Sequence, residues 1–364
     1  MTDSYVALFV PLVALLLAPY VWIALVTLKY GRRQYLIKDY SYQPTVTVYL
    51  PTYNEEGRIK AKLKNLLSQD YHISEILILD CSTDNTSSIV QEFQKNYPSI
   101  RLIRQQKRIG MARTFNQAIQ EAKGEIFVKT DCDSLTASRE SLRELIANFT
   151  DPRVGGATGI CEAKKGVEKY FRSVQTLLQV AETNIDSTII GHSASLLAFR
   201  KSALTSVNPD SAAEDTEELI LVRKNGYRTL IDTTVVSYEE VPEGFTARRT
   251  QKDRRAHGII QAVIRNRDIL FNRKYGKYGL MVYPQFLFIL VLSPLFMLSA
   301  ALIITYIGFV AAPNLLLLTL ALIFLSYLAK PSLYGAVIDV QISGLVGTFR
   351  MLRGKNDPVW RKVR

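Results

Sequence analysis

Thr45-Val46-Thr47-Val48-Tyr49-Leu50, followed at once by Pro51-Thr52-Tyr53-Asn54-Glu55-Glu56, decides the fold class. β-branched and aromatic residues make the first half a strand. Pro, Asn and the acidic pair make the second half a loop at its carboxyl end. The same unit then recurs. Glu75–Leu79 leads into Asp80-Cys81-Ser82-Thr83-Asp84, Ile100–Ile103 forms a third short strand, and Glu125–Thr130 leads into Asp131-Cys132-Asp133-Ser134. Helical periodicity fills the gaps over Glu56–Ser68, Thr86–Tyr97 and Met111–Ala122, with Asp84 placed to cap the second. Strands alternating with helices through short links predict an α/β domain on a mostly parallel, Rossmann-like sheet covered on both faces. Such sheets take ligands at the carboxyl ends of their strands, where these polar runs lie.

Outside that domain the composition changes. The 364 residues are 48% hydrophobic with mean hydropathy +0.06, high for a chain that is 21% charged. Tyr5 to Leu28 is almost uninterruptedly apolar and, as a helix, would extend roughly 36 Å, enough to cross a bilayer. Its start carries Asp3 rather than basic residues and no small-residue cleavage site follows, so it reads as an anchor and not a signal peptide. Leu280–Val310 is a second candidate span and Leu315–Ala329, stopping at Lys330-Pro331, a shorter third. Ser332–Leu352 mixes apolar residues with Asp339, Gln341 and Arg350; it reads as an interfacial helix, with a further span as the alternative.

The net charge of +12 is concentrated at the flanks of these segments. Lys29, Arg32 and Arg33 follow the first, Arg265, Arg267, Arg273, Lys274 and Lys277 precede the second, and Arg353, Lys355, Arg361, Lys362 and Arg364 close the chain. The positive-inside rule then puts the N-terminus outside and the middle domain and C-terminus in the cytosol of a multi-pass protein of the cell membrane. Charge so placed argues for membrane lipids and an anionic substrate, and against nucleic acid. Cys81, Cys132 and Cys161 show no pairing or metal spacing, as suits a reducing compartment. The expected organisation is an N-terminal transmembrane helix (1–30), a cytosolic catalytic domain (31–240), interfacial helices (241–278), transmembrane and interfacial helices (279–352) and a basic tail (353–364).

Each polar run has a plain reading beside a chemical one. Asp131 and Asp133 alternate past a strand end, so both could hold one hard cation that neutralises a diphosphate; equally they could be a solvated turn. Glu214-Asp215 opens a helical stretch reaching Lys224, where acidic residues complement the helix dipole without any further role. Arg248, Arg249, Arg254 and Arg255 could simply be a membrane-surface patch.

Taken in order, these pieces resemble the family 2 glycosyltransferases of GT-A fold, above all the membrane-integrated branch with the cellulose and hyaluronan synthases and the polyprenyl-phosphate-type enzymes. Pro51-Thr52-Tyr53-Asn54-Glu55-Glu56 is similar to the opening Pro-x-Tyr-Asn-Glu-Glu, and Asp80-Cys81-Ser82-Thr83-Asp84 to the Asp-Asp-x-Ser-x-Asp turn. Gly110, Ala112 and Asn116 fit Gly-x-x-x-Ala-x-Asn; Asp131 and Asp133 fit Asp-x-Asp, and Glu214-Asp215 fits Glu-Asp. Gln251, Arg254, Gly258 and Gln261 fit Gln-x-x-Arg-Trp-x-x-Gly-x-x-Gln, and Trp360 to Arg364 a Trp-x-x-x-Arg ending. The resemblance covers roughly Val46 to Gln261.

It implies an inverting, metal-dependent glycosyltransferase using a nucleotide-sugar donor, with a UDP-sugar expected. Pro51, Thr52, Tyr53, Glu55, Asp80 and Asp131 would bind the nucleotide sugar, Asp80 at the base. Asp131 and Asp133 would hold Mg²⁺ or Mn²⁺ on the diphosphate. Asp215, beside Glu214, would be the general base, and Gln251 and Arg254 would cover the donor. Arg255 stands where the family carries Trp; it could meet an anionic acceptor group or be a neutral swap in a basic helix. His192 is a second acceptor-side candidate by position, while His72 and His257 read as surface or interface residues. The implied acceptor is lipid-linked or a glycolipid, receiving a single sugar. A processive polysaccharide synthase is the alternative, for which three spans make a channel only if subunits assemble as a homo-oligomer. A non-catalytic sugar-nucleotide-binding membrane module is a third reading, disfavoured by the presence of every candidate catalytic residue.

Overall fold

The computed structural model describes residues 11, 18, 20–163, 166–192, 195–239, 245–311, 313–329 and 331–354. Most of the anchor expected over 5–28 and the tail residues 355–364, with Trp360, lie outside them.

A short apolar helix, α1 (Tyr20–Tyr30), precedes the α/β domain. The first half of the domain follows the sequence pattern closely. β1 (Val46–Thr52), α2 (Ile59–Leu67), β2 (Glu75–Asp80), α3 (Thr86–Asn96), β3 (Ile100–Arg104), α4 (Met111–Glu121) and β4 (Ile126–Lys129) alternate, and β1 pairs in parallel with both β2 and β4. β1 is central, and its side chains serve both faces, as period-two geometry requires. Val46, Val48 and Leu50 enter one apolar cluster with Ile59, Leu63 and Ile78. Tyr49 enters the other, where it meets Phe115 and Phe127 at ring-centroid distances of 6.2 and 5.5 Å. Each such buried apolar side chain contributes about 1.5–3 kcal/mol.

The second half departs from a simple parallel array. β5 (Ser134–Thr136), α5 (Ser141–Ala147), β6 (Val154–Glu162), α6 (Gly166–Ile185), β7 (Leu197–Arg200), α7 (Glu214–Lys224) and β8 (Arg228–Glu239) complete an eight-stranded sheet of order β3-β2-β1-β4-β7-β6-β8-β5. β7 is inserted antiparallel between β4 and β6, and β5 runs antiparallel along β8. β5 begins directly after Asp133, so the chain turns there, leaves β4 and crosses to the far edge. The sheet remains mostly parallel, with β6 and β8 also paired that way.

After the domain come α8 (Phe245–Arg265), α9 (Tyr283–Leu287), α10 (Ser293–Ala311), α11 (Pro313–Ala329) and α12 (Pro331–Leu352). π-helical turns at Tyr278–Val282 and Phe288–Leu292 join α9 and α10 into one helix, Tyr278–Val310, of 33 residues, whose most apolar 18-residue stretch reaches a mean hydropathy of 2.7. Among the described residues it is the helix long and apolar enough to cross a membrane; at about 1.5 Å per residue it extends about 50 Å. Leu302, Tyr306, Phe309, Leu317 and Phe324 are exposed on α10 and α11. α12 does not stand apart. Lys252 of α8 donates to Asp339 at 2.7 Å and Arg249 to Ser343 at 3.1 Å, and His257 is buried beneath Gly347.

Candidate active site

The loops after β1 and β2 are stitched together by side chains that explain their composition. Asn54 takes a positive φ of 55°, a conformation its short polar side chain tolerates. Its backbone N–H donates to Ser82 Oγ at 2.8 Å, and its Oδ1 accepts from the Thr83 N–H at 2.9 Å. Glu55 N–H donates to Thr86 Oγ1 at 2.9 Å, and Asp84 caps α3 by accepting from the Thr86 N–H at 3.0 Å. Tyr53, beside Pro51 and Thr52 on the cleft lining, lies under the Arg108 guanidinium, 4.1 Å from its ring centroid.

Asp80, expected at the nucleoside base, is held within these loops. Its carboxylate is fully buried and accepts hydrogen bonds from Thr52 Oγ1 (2.8 Å), the Ser82 N–H (3.1 Å), the Ser82 and Ser87 hydroxyls, and Arg104 Nη1 (2.8 Å). It lies beneath the cleft and fixes Thr52 and the following turn.

Asp131 and Asp133 stand together at the turn between β4 and β5, on the cleft lining. Burial, then Asp131, Glu239 and Glu55, push the Asp133 carboxyl up to about 7 against the pull of Arg255. Two hard oxygen donors in a patch with surplus negative charge fit a divalent cation completed by ligand oxygens. Among the described residues no third His, Cys, Asp or Glu closes a full cage. Behind the turn lies Lys62, fully buried, its ammonium drawn down to about 8 by burial.

Across the cleft, Glu214 and Asp215 open α7 with their environments driven apart. Lys129, only 1% exposed at the end of β4, donates to Glu214 Oε1 at 2.5 Å. Burial opposes ionisation of Glu214, but Lys129 overcomes it and holds this carboxyl below its usual range. Burial raises Asp215, Lys129 offsets part of that and the Glu214 charge adds to it, leaving Asp215 a stronger base than an ordinary aspartate. Asp215 Oδ1 accepts the Thr216 N–H (2.8 Å), and the residue lines the cleft. Gln251 and Arg254 reach the same cleft from α8. Burial and the neighbouring Arg255 lower the Arg254 guanidinium, while Glu214, Asp131 and Asp215 act in the other direction. The cleft is about 2870 Å³ and continues past these groups to Tyr20, Ile23, Phe286, Ile289 and Val340 of the helical segments.

Residues 47–205 match the family described as Glycosyl transferase family 2. They hold the core of an α/β fold similar to GT-A. A mannosyltransferase from Pyrobaculum calidifontis, solved in complex with GDP-Man and Mn²⁺, superposes with a TM-score of 0.80 at 27% identity, over 96% of this chain and 100% of that one. The poly-beta-1,6-N-acetyl-D-glucosamine synthase of Staphylococcus aureus is 25% identical over 256 residues, and the probable glycosyltransferase YdaM of Bacillus subtilis 24% over 241. The match to the first covers 67% of this chain, and spans 62% of that relative's length.

Arg255, on α8 beside the cleft, is already engaged. Its Nη2 meets Glu239 Oε1 at 2.5 Å, and Glu239 Oε2 accepts from Arg172 at 2.8 Å. Burial would raise Glu239, yet Arg255 and Arg172 hold it down to about 2. Arg255 therefore extends an ionic chain through Arg172, Glu168 and Lys252 to Asp339 on α12. His192 lines the cleft with Nε2 2.9 Å from Gln179 Oε1; burial and the two arginines lower it to about 3, so it is neutral. Sequence reasoning missed Lys62, Lys129, Arg172 and Glu239. Lys129 had a signal, a charge ending the apolar strand Ile126–Val128 beside Asp131.

Gly258 and Gln261 explain how α8 is aimed. A Cβ on Gly258 would meet the Ala212 carbonyl oxygen at 2.6 Å, and Gln261 Oε1 accepts the Ala212 N–H at 3.0 Å. Both dock α8 on the segment leading into Glu214. Gly258→Val should push α8 off that segment, with a loss of about 1–3 kcal/mol from overpacking. Activity should fall more than the melting shift explains, because Arg254 moves with the helix; wild-type turnover in that variant would contradict this docking.

Proposed function

We propose that the protein is a metal-dependent, inverting glycosyltransferase that moves one sugar from a nucleoside-diphosphate donor to a lipid-borne acceptor at the cytosolic membrane face. One observation carries the reading: Asp131, Asp133, Asp215 and Arg254 share a cleft whose far wall is made of apolar helix. A charged end suits a diphosphate and an apolar end suits a lipid tail.

In this reading Pro51, Thr52, Tyr53 and Glu55 bind the nucleoside side of the donor, with Asp80 as the group that positions Thr52. Asp131 and Asp133 would hold Mg²⁺ or Mn²⁺, which when bound neutralises charge on the diphosphate. Arg254 supplies further positive charge toward the departing diphosphate, and Gln251 orients it. Asp215 accepts the proton of the acceptor hydroxyl as that oxygen attacks the anomeric carbon. One base and a single displacement invert the anomeric configuration. Glu214, kept ionised by Lys129, sustains the negative field that makes Asp215 basic. His192 and the Arg255–Glu239 pair line the acceptor side.

The apolar helix Tyr278–Val310, the anchor expected near the N-terminus and the basic flanks support a multi-pass membrane protein with its catalytic domain in the cytosol. The GDP-Man of the P. calidifontis relative makes GDP-mannose the first donor to test; UDP-sugars, expected from the family pattern, come second. The polysaccharide synthases among the relatives favour a processive second reading. Size analysis of products made in vesicles from radiolabelled donor separates the two. A single adduct per acceptor is expected; a ladder or polymer would sink single transfer.

A further inference from the structure

α2 buries Ile59, Leu63 and Leu66 against the sheet, and Lys62 lies on the same face with no exposure. A buried ammonium is costly, and a hydrophobic side chain of similar length would fill the site more cheaply. Its hydrogen bonds go to neutral oxygens rather than to a carboxylate. Nζ donates to Thr130 Oγ1 at 2.7 Å and to the Ser134 carbonyl at 2.8 Å. Thr130 immediately precedes Asp131, and Ser134 immediately follows Asp133. Thr130 is held in turn, its hydroxyl donating to the Ser195 carbonyl at 3.0 Å and its N–H to the Tyr49 carbonyl at 3.1 Å.

We propose that Lys62 is a positioning residue that clamps both shoulders of the Asp131–Asp133 turn from behind, fixing the spacing of the two carboxylates for a divalent cation. The inference rests on the metal assignment above. Chain geometry makes the clamp necessary, because β5 leaves β4 at this turn and the sheet pairing of β4 ends at Lys129. The turn carries two like charges three residues from end to end, and repulsion would spread them. Removing one cation from the neighbourhood would by itself favour a metal ion. Loss of the clamp acts the other way, and an outer group that orients metal ligands is typically worth about 10–100-fold in affinity.

The test is Mn²⁺ binding, followed by the electron paramagnetic resonance of free Mn²⁺ with GDP present, in the full-length protein, Lys62→Met and Thr130→Val. Melting temperatures without metal are recorded in parallel. Lys62→Met should raise the Mn²⁺ dissociation constant at least about tenfold, and Thr130→Val, which keeps the ammonium, should raise it by a smaller factor. If Lys62→Met does not fold, Thr130→Val decides alone. Unchanged or tighter Mn²⁺ binding in a folded variant overturns the clamp while leaving the metal site intact. Absence of Mn²⁺ binding by the wild type overturns the metal assignment and the clamp with it.

Discussion

Asp215→Asn should lower kcat by about 10²–10⁴-fold, the range for losing a positioned general base, with donor affinity unchanged. Asn keeps the size of the side chain and can still accept the Thr216 N–H at 2.8 Å, so the opening turn of α7 should survive. The pH profile carries the same information. Asp215 works only when deprotonated, and burial together with the Glu214 charge raises its carboxyl against the pull of Lys129. Activity should therefore fall as pH drops through a limb above the ordinary aspartate range, and Asp215→Asn should abolish that limb. A donor-binding titration beside steady-state kinetics checks both points. Retained turnover removes Asp215 from the base role.

Lys129→Met should produce the largest loss of stability of any single change at the site. Lys129 and Glu214 are both buried, and removing one partner leaves an uncompensated carboxylate, typically at about 3–5 kcal/mol. For a protein of this size that is a fall of about 4–7 °C in melting temperature. Adding Glu214→Gln removes the stranded charge, so the double variant should recover much of the loss. Equal destabilisation in single and double variants would show that the pair acts through packing alone. Surviving Lys129→Met protein should also show its acidic limb at higher pH, since Lys129 is the group that restrains Asp215.

The first four strands and their helices were legible because each is a short apolar run closed by a polar loop, with little tertiary context needed. β5 and β7 were not. Ser134–Thr136 and Leu197–Arg200 are too short for periodicity, and their antiparallel placement depends on partners far along the chain. The candidate residues divide the same way. Asp131, Asp133, Asp215, Gln251 and Arg254 do converge on one cleft, as their order implied. Asp80 turns inward because Thr52, Ser82, Ser87 and Arg104 supply donors that only the folded loops bring together. Arg255 read as a contact for an anionic acceptor group or a neutral swap in a basic helix; its partner Glu239 ends β8, and nothing local links the two. Lys62 was hidden in an amphipathic helix, whereas Lys129 carried a signal as a charge closing an apolar strand.

The most direct measurement is transfer of label from GDP-mannose and a panel of UDP-sugars into lipid, using the protein in vesicles with membrane-lipid extract. Organic-soluble label is expected from one donor, lost on chelation of divalent cations and absent with Asp215→Asn. Label from no donor, or label undiminished by chelation and by Asp215→Asn, would contradict the proposed function.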